Sequence, residues 1–167
     1  MAVVPVRRGD LQLAARYSEE ALDLTRRTGD RLAANIALHL LVQAALASGE
    51  FARASGFFRD ALEITFEASD RPNAAFCLQG LAAVSEAHDE PARAARLLGA
   101  AEALLERAGV PRYAMVDQDL HRRVADASRG HLGDHAWNAA RDEGRAMAFE
   151  EAVAYALEEE DGTPDPA

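Results

Sequence analysis

Apolar and small residues recur three and four places apart along most of the chain. Leu38, Leu41, Val42, Ala45 and Leu46 follow that spacing, as do Ala54, Phe58, Ala61, Leu62 and Ala68. Side chains at i, i+3, i+4 and i+7 share one face of an α-helix, so each run predicts a helix with one buried stripe. Gly-acidic-apolar steps such as Gly49-Glu50-Phe51 end one helix and start the next. The pattern predicts helices near 10–28, 31–48, 51–68, 71–87, 90–108, 113–129, 132–145 and 148–160. No run alternates with the period of a strand, and β-branched residues are sparse, so the fold class is all-α.

The pattern also repeats. Gly9-Asp10-Leu11, Ala14 and Ala21-Leu22 return forty places on as Gly49-Glu50-Phe51, Ala54 and Ala61-Leu62. They return again as Asp89-Glu90-Pro91, Ala94 and Ala101-Glu102. Leu38, Leu41, Val42 and Ala45 correspond to Leu78, Leu81, Ala82 and Ser85. Repetition at such a period marks stacked supersecondary units. The unit here is a helical hairpin, and the recurring alanines mark where neighbouring helices approach closely.

The chain is similar in these residues to the tetratricopeptide repeat (TPR) family. Gly49, Glu50, Phe51, Ala54 and Ala61 match its turn and small-residue positions, and Phe58 stands where a second aromatic is usual. Gly9, Asp10, Leu11, Ala14 and Ala21 match less fully. Asp89, Glu90, Pro91, Ala94 and Ala101 lack the turn glycine, and Leu38 and Leu78 replace the usual Trp. The resemblance implies a right-handed α-solenoid that binds proteins or peptides. A period of 40 instead of about 34 implies helices longer by about a turn. The expected organisation is a leader (1–8), TPR-like repeats (9–109), a divergent helical cap (110–160) and a disordered acidic tail (161–167).

The order of elements near the C-terminus is similar to the tail of large actinobacterial regulators, which join an ATPase module and a TPR array, often with a LuxR-type DNA-binding domain. The residues concerned are the ARAARLLGAAEALLERAG run from Ala92, Leu132-Gly133, Trp137, Gly144-Arg145-Ala146-Met147 and Phe149-Glu150-Glu151-Ala152-Val153. No phosphate-binding loop of the Gly-x-x-x-x-Gly-Lys kind and no basic recognition helix is present. The resemblance therefore implies only the sensor or interaction part of a bacterial signalling or transcriptional regulator. Nothing helical is expected before Gly9, so the first helix lacks its usual partner. Leu11, Ala15, Leu22 and Leu24 are expected on an uncovered face, as in a fragment of a longer array or the contact of a homodimer. Ala156 is read as lying near an exposed end.

Charge and composition narrow the partners. The net charge of −10 repels phosphate backbones and anionic lipid, so neither direct nucleic-acid binding nor membrane binding is expected. No stretch reaches the length of apolar residues that crosses a bilayer, and no secretory signal is read. One cysteine, Cys77, allows no internal disulfide and fits a cytoplasmic location.

Chemistry is scarce. His131 and His135 stand four apart, but Leu132-Gly133 interrupts them and no third ligand is placed, so no metal or cofactor is expected. The carboxylates Glu158, Glu159, Glu160 and Asp161 read as a solvated helix end, and Cys77 with His39 as no nucleophilic pair. The chain is expected not to be an enzyme. The binding candidates lie on the first helix of each hairpin, which should face a concave groove. They are Asn35, His39 and Gln43, then Phe76, Gln79, Ala83 and Glu86, with Arg31 and Arg71 at the helix starts to hold acidic groups. Two other readings remain open. A small-molecule or peptide-pheromone sensor would close a dry pocket near His39 and Gln79, and a self-association module would bury the first helix between copies.

Overall fold

The computed structural model describes residues 8–111 and 118–158, and within them every regular element is a helix. Those helices are α1 (Arg8–Thr28), α2 (Arg31–Ser48), α3 (Phe51–Glu67), α4 (Arg71–Ala87), α5 (Pro91–Arg107), α6 (Gln118–Leu132), α7 (Asp134–Ala146) and α8 (Phe149–Leu157). The leader, apart from Arg8, and the tail 161–167 lie outside the described residues, as does the predicted start of the sixth helix at 113.

The backbone repeats at half the spacing seen in the sequence. Positive φ recurs every twenty residues, at Gly29 (73°), Gly49 (73°), Ser69 (54°), Asp89 (64°) and Gly109 (66°). At each turn the next N–H reaches back five residues: Asp30 to Thr25, Glu50 to Ala45, Asp70 to Thr65, Glu90 to Ser85 and Val110 to Leu105, at 2.8–3.2 Å. These left-handed caps satisfy carbonyls that the helix end would leave unpaired. The next helix then starts. Asp30 and Asp70 accept side-chain cap bonds from the N–H groups of Ala33 and Asn73. Ala34, Ala54, Ala74 and Ala94, four places on from each acid, are all buried. So are Leu38, Phe58, Leu78 and Leu98 a turn later. The 40-residue hairpin is thus two 20-residue helix-turn units.

Each of α1 to α5 packs on the helix after it. Ala54 and Ala94 are fully buried, and so are Ala61 and Ala101, as their spacing requires. Ala21, the counterpart of Ala61, is exposed, because no helix among the described residues covers that side of α1. Leu22 is a correction to the expected uncovered face: it is buried in the main core, while Leu24 is exposed and the side chains of Leu11 and Ala15 lie outside the description.

Helix α5 is the hub, packed against α4, α6, α7 and α8. Its approach to α7 is backbone to backbone. A Cβ on Gly144 would run into the Arg96 carbonyl, and one on Gly99 into that of Arg141. Trp137 fills the space beside this crossing with Ala95 and Ala140. Helix α8 runs antiparallel to α3. Its Phe149 ring lies 5.4 Å from Phe66, and its last carbonyls, at Leu157 and Glu158, accept from Arg59 Nη2 at 3.0 and 2.8 Å. Arg93 Nη2 donates to Tyr155 and Ala156 oxygens at 3.2 and 3.3 Å. Ala156 is consequently buried, contrary to the exposed end read for it.

Candidate binding groove

A groove of about 580 Å³ is lined by residues of α2, α4 and α6. Helix α2 contributes Gln43 and Leu46, and Phe51 closes its end from the start of α3. Ala83, Glu86 and Ala87 come from α4. Across from them stand Leu120, Arg123, Val124 and Ala127 of α6, spaced three and four apart so that all four project from one face. The lining is mostly apolar, with the Gln43 amide and Arg123 among its polar groups. Ala83 and Ala127 are small and leave space that larger side chains would fill.

Glu86 is not a free charge in this groove. Its carboxylate accepts from the Ser128 hydroxyl and lies 3.2 Å from His131 Nδ1. The arrangement ties α4 to α6 and fixes the groove wall. His135 belongs to the following helix and is exposed, so the two histidines do not converge. Among the described residues no three His, Cys, Asp or Glu side chains cluster as metal ligands. Cys77 is buried, and burial pushes its thiol up to about 12, far from a nucleophile's range.

The sequence candidates divide into three groups. Gln43 and Glu86 meet in the groove, with Ala83 between them. His39 and Phe76 form a tilted ring pair outside its lining, ring centres 4.8 Å apart, with Asn35 half-buried one turn away on α2. Arg31, Arg71 and Gln79 lie elsewhere. Arg31 pairs with Glu67 at 2.8 Å, and Arg71 stands 5.1 Å over the Phe149 ring, held by α8. Gln79 is buried in α4, because position 79 turns toward the core and not toward the groove.

Sequence reasoning missed a buried charge cluster. Glu102 of α5 has a side chain only 4% exposed, and two arginines and a histidine converge on it from the cap: Arg141, Arg145 at 3.0 Å and His121 Nε2 at 3.2 Å. Hydrogen bonding to Glu106, and then to Glu102, raises the Arg145 pKa, so that cation stays charged. The signal was present in the repeat itself. Glu102 occupies the register position of the buried Leu22 and Leu62, so an acid was already placed in the interior.

No family model matches the chain, and no curated protein and no solved structure matches it significantly.

Proposed function

We propose that this chain is a TPR-like, right-handed α-solenoid that recognises a protein or peptide in the groove between α2, α4 and α6. The reading makes it a cytoplasmic, non-catalytic interaction or sensor part of a bacterial signalling or transcriptional regulator. The observation that carries the reading is the open, mostly apolar groove in which Gln43, Ala83 and Glu86 come together. An amphipathic peptide would lay apolar side chains on Leu46, Ala83, Leu120 and Val124, with Gln43 and Arg123 free to bind its polar groups. Helices fixed by twenty-residue caps are ordered before binding, so little ordering entropy is lost in the scaffold. The openness of the groove favours a peptide over a small molecule, since small ligands are usually enclosed over most of their surface.

Selection from a displayed peptide library tests this reading. Peptides enriched on the wild-type chain should lose at least about tenfold in affinity, about 1.4 kcal/mol, on Ala83→Arg, which fills the groove. Enriched peptides that bind Ala83→Arg unchanged would place recognition on another surface.

A further inference from the structure

Four large apolar side chains of the first hairpin are exposed: Tyr17 (55%), Leu24 (57%), Ile36 (56%) and Leu40 (49%). Their counterparts forty residues on are covered. Phe57 and Ile64, for Tyr17 and Leu24, are half-buried, and Leu97 and Leu104, a further forty on, are fully buried. Phe76, for Ile36, touches His39 of the hairpin before it and Phe58 of its own. Gly80, for Leu40, lies beneath the Phe58 ring. Phe57 and Ile64 share their helix face with Arg53, whose guanidinium reaches Glu19 on α1 at 2.7 Å. The positions of Tyr17, Leu24 and Ile36 therefore look back toward the preceding hairpin, and on α1 and α2 nothing among the described residues covers them. Ala21 is exposed on the same side.

We propose that this end face of α1 and α2 is a homodimer contact in which two copies meet about a two-fold axis. Charge argues for an identical partner. Residues 8–48 carry five arginines and five carboxylates, so the first hairpin is neutral in a chain of net charge −10. The other surfaces carry the negative excess and repel a second copy, whereas this one does not. The face is also self-complementary, as a two-fold contact requires. Tyr17 and Leu24 lie two turns apart on α1 with Ala21 near their midpoint. An antiparallel crossing at Glu20-Ala21 sets Tyr17 against the partner's Leu24 and leaves the small Ala21 where the helices approach most closely. Arg16 then lies opposite position 25 and close to Asp23 of the other copy, an unlike pair that the two-fold axis makes twice. Exposed apolar patches rimmed by polar residues are where such contacts form. Helix α1 lines no part of the groove, so variants at Tyr17 and Leu24 test this contact apart from the peptide-binding reading.

Sedimentation equilibrium of the full chain from about 1 to about 100 µM tests the proposal. The expected mass rises with concentration from 18.0 kDa toward twice that value. Leu24→Glu and Tyr17→Glu should each stay monomeric with unchanged helical circular dichroism, while Asn138→Glu, the same charge at an exposed position of α7, should dimerise like the wild type. Ala21→Cys should form a disulfide-linked dimer on mild oxidation, since the native Cys77 is buried. A wild-type chain that remains at 18.0 kDa throughout, or a dimer indifferent to both glutamates, overturns the proposal.

Discussion

Glycine-to-alanine substitutions at two helical sites should change stability in opposite directions. Gly130 lies in α6 with open space around it, so a methyl there meets nothing. Alanine gains about 0.5–1 kcal/mol at such a site, because glycine has more chain entropy to lose on folding. Gly144 carries the same intrinsic gain but faces the α5 backbone. Its added Cβ would collide with the Arg96 carbonyl oxygen, with the carbonyl carbon and Cα behind it at 2.7 and 2.8 Å. Backbone cannot rotate aside as a side-chain tip can, so α5 and α7 must separate and loosen the packing of Ala95, Trp137 and Ala140. Overpacking of this kind costs about 3 kcal/mol, leaving a net loss of about 2 kcal/mol after the helix gain. In a chain of this size 1 kcal/mol moves Tm by about 2–4 °C. Thermal unfolding by circular dichroism should then fall by about 4–8 °C for Gly144→Ala and rise by about 1–4 °C for Gly130→Ala. Trp137 fluorescence should shift only in the first variant, since the single Trp lies at the crossing. Equal stabilisation by both alanines would refute a backbone-to-backbone contact between α5 and α7.

Three further perturbations address other parts of the fold. Glu102→Ala leaves Arg141 and Arg145 without their shared buried carboxylate, and urea unfolding should show a loss of about 3–5 kcal/mol. Ala61→Leu should overpack the α3 face at a cost of about 1–3 kcal/mol, while Ala139→Leu on exposed α7 should stay within about 0.5 kcal/mol, both read from chemical denaturation. The folded chain keeps the Cys77 proton, which the unfolded thiol loses above its ordinary 9.0. That contribution is fully present below pH 9.0 and is lost as pH rises toward about 12. Stability should therefore fall by up to about 1.4 kcal/mol per pH unit across this window, and Cys77→Ala should remove that part of the slope. The chain has no lysine, so no side-chain amine titrates over the same range.

The helices and the forty-residue spacing were legible because both depend on local pattern: apolar residues at helical intervals, and alanines at 54, 61, 94 and 101 that the packing does bury. The twenty-residue unit was harder to see. Ser69 and Asp89 take the left-handed turn conformation that glycine takes at 29, 49 and 109, so the turns share a geometry and not a residue. The groove was legible in part. Gln43 and Glu86 fall where helical spacing places them, but Gln79 lies on the boundary between the two faces of α4, and helical periodicity does not resolve such a boundary. Arg71 makes a contact that the repeat does not announce. Its partner, Phe149, is distant in sequence and belongs to the non-repeating cap. The Glu102 cluster has the same origin, since His121, Arg141 and Arg145 come from α6 and α7.

The most direct test of the account is a nitrogen-15 chemical-shift titration of the chain with a library-selected peptide. The expected shifts fall on Gln43 and Leu46, on Ala83 and Ala87, and on Arg123 and Ala127, three helices far apart in sequence that share one groove. Shifts confined to one helix, or centred on the α3–α8 side around Arg59 and Arg93, would contradict recognition in that groove.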